Sequence, residues 1–286
     1  MIGWRNTKKI TMHILPRLDL MIAYSCNLSC VGCISLSDRQ RDGVAAYTDI
    51  QDWLQSWQQR ITPTVLTIFG GEPCLHPDLL DICALVRSTW SDCTVRVITN
   101  GYLLDNFDSA AWFTFGKFEI QVSVHRKDHE KIINQKIKNI LSHRKDWRVS
   151  AHGGSQHKQI EWVSSDVSIY KSIFKDFIVP FKELGDNIAA WDSDPAAAHK
   201  ICGSPATPIL YKNKLYKCPP VANIIDLTGT HYADYRGYGP DDDLLPFINA
   251  INRPEPVCGQ CPSQTQAVVI DHMDFKNVKV KQKISN

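Results

Sequence analysis

The sequence predicts an α/β fold with a parallel sheet, followed by a smaller C-terminal region of different composition. Over the first two thirds of the chain, short β-rich segments alternate with helical patterns, which is typical of successive βα units. After Asp194 this alternation stops and prolines become frequent. With 286 residues, 43% of them hydrophobic, the chain is long enough to bury a full core.

The elements of the first region follow from local residue patterns. Strands rich in β-branched and aromatic residues are expected over residues 18–24, 64–69, 94–99, 118–124, 147–152 and 188–192. Helices with apolar residues at helical spacing are expected over about 48–60, 77–90 and 128–144. Thr48 and Gln51 are placed as a capping box for the first of them. Residues 168–184 are also predicted to be helical, with an interruption at Pro180.

The C-terminal region is predicted to contain a β-hairpin and a helix. Residues 207–210 and 214–217 are the two strands of the hairpin, around Lys212 and Asn213. Residues 241–252 are expected to be helical and residues 228–240 a loop. The basic tail from Phe275 is expected to be a solvated edge or a frayed terminus. The predicted domains are residues 1–195 and residues 196–286.

Composition narrows the classes of function. A net charge of +2 gives no case for a nucleic acid partner. Pro16, Arg17 and Asp19 interrupt any secretory signal, and no segment approaches the roughly 20 apolar residues of a membrane span. The ten cysteines are therefore expected to be metal ligands in a reducing cytoplasm rather than a disulfide framework.

Three cysteines, Cys26, Cys30 and Cys33, lie in one short loop after the first predicted strand. Three thiolates from one loop can hold three irons of a four-iron cluster and leave the fourth open to a small molecule. A structural zinc site is the alternative, although zinc ribbons usually pair two Cys-x-x-Cys knuckles and the next cysteine, Cys74, stands alone. The triplet by itself leaves both metals open.

Polar and glycine-rich motifs end the next three predicted strands. They are Gly70-Gly71-Glu72-Pro73, Asn100 followed by Gly101, and Ser123. Because ligands of parallel α/β folds bind at the carboxyl ends of strands, we expect these motifs to face one site. Glycine N–H groups suit a carboxylate and Glu72 suits an ammonium, which together match the head group of an amino acid. Taken singly, each motif is also an ordinary turn.

Together these features resemble the radical SAM superfamily, over roughly residues 18–195. The resemblance implies a partial (β/α)6 TIM-like barrel in which Cys26, Cys30 and Cys33 hold a 4Fe-4S cluster. It implies that S-adenosylmethionine binds this cluster and that reductive cleavage yields a 5′-deoxyadenosyl radical, which abstracts a hydrogen atom from a substrate carbon. It also implies an electron donor such as flavodoxin or ferredoxin. The residues expected to contact S-adenosylmethionine are Gly70, Gly71, Glu72, Asn100 and Ser123.

The match to the family has one departure. Family members often have an aromatic residue just before the third cysteine, near the adenine, where this chain has Gly32. The resemblance therefore leaves the packing of the adenine open.

A second set of cysteines lies in the C-terminal region: Cys202, Cys218, Cys258 and Cys261. Four thiolates complete the coordination of either zinc or a 4Fe-4S cluster. The layout resembles the twitch domain, a shortened SPASM domain that holds an auxiliary cluster in radical SAM enzymes. This resemblance implies a small hairpin and helix domain with a fully ligated 4Fe-4S cluster that transfers electrons. Zinc is the structural alternative.

Three further residues are candidates for catalysis. Cys74 follows the glycine motif and could return a hydrogen atom to a substrate radical, although a small buried residue is the more ordinary interpretation. His125 and His152 follow predicted strands and could accept a proton from an alcohol radical. Cys83, on the apolar face of the second helix, is expected to pack in the core.

Three functions follow as hypotheses. The first is oxidation of a small polyol or aminosugar, with the auxiliary cluster as electron acceptor. The second is epimerisation or crosslinking of a ribosomally made peptide, which the short segment of about 17 residues before the first strand disfavours. The third is a catalytically silent zinc-binding scaffold.

Overall fold

The computed structural model describes residues 11–39, 41–150, 158–173, 176–185, 187–271 and 278–281. Its helices are α1 Tyr47–Trp57, α2 Leu79–Thr89, α3 Glu130–Leu141, α4 Pro195–Lys200, α5 Pro219–Thr228 and α6 Leu245–Ala250. Its strands are β1 His13–Ala23, β2 Leu28–Cys30, β3 Ile61–Gly70, β4 Thr94–Thr99, β5 Phe118–Val124, β6 Arg148–Ser150, β7 Lys158–Val163, β8 Val167–Ile173, β9 Asp176–Ile178, β10 Lys182–Leu184, β11 Asn187–Ala189, β12 Ile209–Tyr211, β13 Lys214–Tyr216, β14 Val269–Asp271 and β15 Val278–Val280. No helix in the described part of the chain has the length and apolar character needed to cross a bilayer.

A nine-stranded sheet organises the chain, in the order β13-β12-β1-β3-β4-β5-β8-β7-β6. The strands from β12 to β8 in this order run parallel to one another, whereas β13 at one end of the sheet and β7 and β6 at the other pair antiparallel with their neighbours. The mixed α/β class and the large parallel sheet are confirmed. This sheet is consistent with a partial barrel.

The first four predicted strands correspond to β1, β3, β4 and β5, and the three predicted helices to α1, α2 and α3. The capping box is wrong, because α1 begins at Tyr47 after Ala46 and has no side-chain cap. The hairpin is confirmed as β12 and β13. Its turn residues Lys212 and Asn213 both have positive φ, 48° and 59°, as a two-residue hairpin turn of type I′ requires. The predicted C-terminal helix is shorter, as α6, and α4 and α5 were not predicted.

The fifth and sixth parallel strands are not where the sequence suggested. Residues 148–150 form a short antiparallel edge strand, and the next parallel strand is β8, inside the segment predicted to be helical. The side chains of β8 alternate in character, because Val167 and Ile169 join the main core while Tyr170 and Ser172 line a cavity on the other face. This period of two is that of a strand. Of the predicted strand over 188–192, residues 188–189 belong to β11, but β11 pairs with β10 in a separate two-stranded sheet and is not the sixth strand of the main sheet.

The sixth parallel strand comes from beyond the predicted domain boundary. β12 pairs with β1, in the register Asp19 with Ile209 and Leu20 with Leu210. The C-terminal hairpin therefore extends the main sheet. The division at residue 195 stays a prediction.

The two faces of the parallel strands differ in polarity. On β1, Leu18, Leu20 and Ile22 are fully buried in the main hydrophobic core, together with residues of the helices. On the same strand, Arg17 and Asp19 point to the opposite face and line the cavity. Because successive side chains of a strand alternate between its faces, one sequence provides both the core and a polar interior.

The described part of the C-terminal tail is paired rather than frayed. β15 runs antiparallel to β2 within the first cysteine loop, with Val278 opposite Cys30. Val278 is fully buried beside Cys26, Leu28 and Cys30, so the expectation of a frayed terminus is wrong for Val278–Val280. This strand covers one side of the loop.

We expect Val278→Asp to lower the free energy of unfolding by about 3 kcal/mol, because it places a carboxylate in an apolar site without a partner. Val280→Asp is the matched control, since Val280 lies on the same strand and is 45% exposed. Chemical denaturation of the two variants measures the difference. Equal stability of the two proteins would contradict the packing of β15 on the cysteine loop.

Candidate active site

A cavity of about 480 Å³ lies at the carboxyl ends of the parallel strands. Its walls include the first cysteine loop and the inward-facing side chains of β1, β3, β4, β5 and β8. Ligands of parallel α/β folds bind at this end of the sheet. The expected position of the site is therefore where the structure has its cavity.

Cys26, Cys30 and Cys33 all line this cavity. Burial raises the pKa of the Cys30 thiol well above its usual value, and the charges of Cys33 and Cys26 raise it further. Three soft thiol donors at one wall fit an iron–sulfur cluster, whose irons would hold them as thiolates. Among the described residues, no three His, Cys, Asp or Glu side chains are placed to hold a single metal ion. A preformed zinc tetrahedron is therefore absent from that part of the chain.

The two glycines after β3 let the cysteine loop approach the sheet. A Cβ on Gly70 would lie 2.2 Å from the Ala23 carbonyl oxygen, and one on Gly71 would lie 2.2 Å from that of Ser25. The Gly71 N–H donates to Ala23 at 2.8 Å, and the Glu72 N–H donates to Ser25 at 2.9 Å. The Gly71 N–H is therefore occupied, contrary to the expectation that it faces a carboxylate. Both glycines line the cavity.

Glu72 is fully buried and does not line the cavity. Its carboxylate accepts hydrogen bonds from the Thr99 hydroxyl at 2.6 Å, the Asn100 N–H at 2.7 Å and the Cys74 N–H at 3.0 Å. Burial raises the pKa of Glu72, and these hydrogen bonds partly offset that effect. The carboxylate thus ties the end of β3 to the end of β4. Its contact with an ammonium group stays a prediction.

Asn100 and Ser123, at the ends of β4 and β5, both line the cavity as expected. The Asn100 side-chain amide donates to the Asn27 side-chain oxygen at 2.6 Å and lies 3.7 Å from the Cys26 sulfur. The Tyr102 N–H donates to the Asn100 oxygen at 3.1 Å. Asn100 therefore holds the start of the cysteine loop as well as facing the cavity.

A buried arginine fixes the end of the same loop. Arg41 is 7% exposed and donates to the Asn223 side-chain oxygen at 2.5 Å and to Asp226 at 2.9 Å. Asn223 in turn donates to the Ile34 carbonyl, directly after Cys33, at 3.0 Å. Both partners lie on α5, which begins directly after Cys218. The two cysteine sets are thus linked through one helix.

The second set of cysteines lines a second cavity, of about 320 Å³. Burial raises the pKa of Cys218 to about 12, and the charges of Cys202 and Cys258 add to this effect. Four soft donors around one apolar space fit a fully ligated cluster. The two cavities share four lining residues: Ile34, Phe177, Gly203 and Ser204. The two cysteine loops therefore meet at a common wall.

The three catalytic candidates differ in placement. His125 lines the cavity, with its ring centroid 5.9 Å from that of Phe177. Cys74 is 3% exposed in the main core, donates to the Thr99 hydroxyl at 3.4 Å and does not line the cavity. His152 lies outside the described residues. Cys83 packs in the core, as expected.

Four charged residues in the cavity were missed by the sequence interpretation, and we call them the charged floor: Arg17, Asp19, Arg96 and Glu119. They form two ion pairs, with Arg17 2.7 Å from Asp19 and Arg96 2.7 Å from Glu119. Burial raises the pKa of Asp19, although Arg17 opposes this effect. The sequence does contain a pattern that indicates them, because on β1, β4 and β5 a charged residue alternates with apolar residues that are buried.

The protein family described as 4Fe-4S single cluster domain matches residues 17–153, which include the first cysteine loop. The GTP 3',8-cyclase of Shewanella denitrificans is 33% identical over 113 residues, or 39% of this chain and 33% of that protein. That of Microcystis aeruginosa is 28% identical over 139 residues, or 44% and 40%. The chain therefore matches only about a third to two fifths of these relatives.

Two solved structures are also similar. BtrN in an open conformation has a TM-score of 0.46 at 14% identity, covering 88% of this chain and 95% of that one. Streptococcus suis SuiB bound to S-adenosylmethionine has a TM-score of 0.34 at 17% identity, covering 41% and 27%.

We expect Gly71→Ala to lower the free energy of unfolding by about 2 kcal/mol, because the new Cβ would force β3 away from Ser25. Gly239→Ala is the control, since a Cβ there makes only an ordinary contact with the Asp242 side chain at 3.5 Å and Gly239 lines neither cavity. Denaturation of both apoproteins, with iron content after anaerobic reconstitution, measures the effect. If Gly71→Ala matched wild type in both, the close approach would not be needed for the cysteine loop.

Proposed function

We propose that this chain, a radical SAM enzyme with a 4Fe-4S cluster, oxidises a small polyol or aminosugar by abstracting a hydrogen atom from one of its carbons. The observation that carries the proposal is that the cysteine triplet and the charged floor line the same cavity. A substrate on the floor would face a cofactor at the cysteine loop within one cavity. Hydrogen abstraction requires this proximity.

Each of the two cysteine sets has a place in this proposal. Cys26, Cys30 and Cys33 would hold the cluster that binds S-adenosylmethionine, and the second set would hold an auxiliary cluster. When bound, these groups supply a 5′-deoxyadenosyl radical and an acceptor for the second electron of the substrate. The wall shared by the two cavities supports a transfer between them.

The charge of the cavity supports a neutral or weakly charged substrate. The charged floor has two guanidinium groups and two carboxylates, so its charges balance. Gln121, Ser123, Tyr170 and Ser172 add uncharged hydrogen-bonding groups. A polyol or aminosugar needs many hydrogen-bond partners of both kinds and no excess of positive charge.

The proton balance of the oxidation assigns a task to the chain. Conversion of an alcohol to a ketone removes two protons and two electrons from the substrate. Abstraction of the C–H hydrogen atom accounts for one proton and one electron. The hydroxyl proton must then pass to a base. His125 lines the cavity and is the candidate for that step.

Anaerobically reconstituted and reduced protein, incubated with S-adenosylmethionine and a panel of sugar alcohols and aminosugars, should produce 5′-deoxyadenosine and a ketone. The ketone has two hydrogens fewer than the substrate, which mass spectrometry detects. A product of unchanged oxidation state would contradict oxidation and would point instead to epimerisation. Absence of 5′-deoxyadenosine would contradict the radical mechanism itself.

The two cysteine sets should be separable by mutation. Cys26→Ala should abolish 5′-deoxyadenosine, because it removes a ligand of the first cluster, whereas Cys258→Ala should reduce the ketone more than 5′-deoxyadenosine. Cys93→Ala is the control, since Cys93 is a buried cysteine outside both sets. Chromatography quantifies both products. Equal loss of the two products in Cys258→Ala would exclude a specific role of the second set in oxidation.

A further inference from the structure

We propose that Arg96 and Glu119 recognise two neighbouring hydroxyl groups of a neutral polyol. This inference rests on the proposed function and specifies which residues of the cavity select the substrate.

The strand register aligns three of the four charged residues, Asp19, Arg96 and Glu119, in one row across the sheet. Asp19 on β1 pairs with Thr67 on β3, Thr67 pairs with Arg96 on β4, and Arg96 pairs with Glu119 on β5. Ser123 lies four residues further along β5 and lines the same cavity. The cavity therefore continues from Arg96 and Glu119 along β5 toward the cysteine loop.

The two ion pairs of the charged floor differ in their free hydrogen-bonding capacity. Arg17 contacts both carboxylate oxygens of Asp19, at 2.7 and 3.2 Å. Arg96 contacts only one oxygen of Glu119, at 2.7 Å through Nε. Among the described residues, the terminal nitrogens of Arg96 and the second oxygen of Glu119 have no hydrogen-bond partner. Both side chains are partly exposed to the cavity, by 19% and 27%.

An aromatic ring of the cavity wall lies against the Arg96 guanidinium. The guanidinium lies 5.9 Å from the centroid of Tyr170, and the Tyr170 hydroxyl donates to Gln121 at 2.9 Å. Burial raises the pKa of Tyr170 to about 12, so this hydroxyl keeps its proton at neutral pH. A guanidinium that is fixed by a ring and by a carboxylate loses little conformational entropy when it binds a ligand.

A donor and an acceptor side by side match a pair of adjacent hydroxyls. One hydroxyl oxygen accepts from the free N–H groups of Arg96, and the other hydroxyl donates to the free oxygen of Glu119. A phosphate dianion in place of either hydroxyl is attracted by Arg96, but it has no proton to donate to Glu119 and is repelled by that carboxylate. The pair therefore selects an uncharged vicinal diol.

The test measures binding rather than turnover, so that it is independent of the radical reaction. Calorimetry on anaerobically reconstituted protein with S-adenosylmethionine compares myo-inositol with myo-inositol 1-phosphate. Wild type should bind myo-inositol more tightly than its phosphate. Glu119→Gln should weaken myo-inositol binding about tenfold or more, as for one hydrogen bond to a charged group, and should reduce the preference over the phosphate ester. Arg96→Lys, which loses the planar fork, should weaken both ligands.

Arg144→Gln is the control, because it removes an arginine that pairs with Asp146 and Asp166 away from the cavity. It should leave both affinities at the wild-type values. The proposal is overturned if wild type does not bind myo-inositol, if Glu119→Gln binds it as well as wild type, or if Glu119→Gln weakens both ligands alike. Formation of 5′-deoxyadenosine is measured separately, so failure of the radical chemistry is distinguished from failure of substrate recognition.

Discussion

The contact on which the rest of the structure depends lies between the end of β3 and the start of the first cysteine loop. Gly70 and Gly71 approach the backbone of Ala23 and Ser25 so closely that a single Cβ would clash with it. This contact places Cys26 directly over the ends of the parallel strands. Without it, three cysteines near one another in sequence would have no fixed relation to the cavity, and a cluster bound there would have no defined position above a substrate.

Further hydrogen bonds keep the loop in that position from three sides. Asn100 holds its beginning, Arg41 and Asn223 hold its end, and β15 pairs with its middle. Asn100 directly follows β4, Arg41 lies in the segment before α1, Asn223 lies on α5, and β15 belongs to the C-terminal tail. A loop that must bind a large cofactor is thus made rigid by distant parts of the chain, because a short loop cannot supply enough contacts of its own.

The polar interior is the second consequence of the sheet. Strands β1, β4, β5 and β8 place apolar residues in the core and polar residues in the cavity, so the core and the charged floor come from the same few strands. Charged side chains inside a protein are costly to desolvate unless they are paired and hydrogen-bonded. The charged floor meets this condition by pairing Arg17 with Asp19 and Arg96 with Glu119. Its remaining hydrogen-bond donors and acceptors face the cavity, where a substrate would bind them.

The sequence by itself determined the α/β class, the first four parallel strands, the hairpin at Lys212 and Asn213, and both cysteine sets as candidate ligands. These features depend on local periodicity, turn chemistry and the spacing of thiols, which a sequence displays directly. Long-range pairing decided the rest: β8 is a strand because it joins β5, and β12 enters the sheet from beyond the predicted boundary. The burial of Glu72 and the position of Arg96 beside Glu119 were likewise decided by the tertiary structure. Register between strands sets which side chains meet, and a single sequence does not contain that register until the chain has folded.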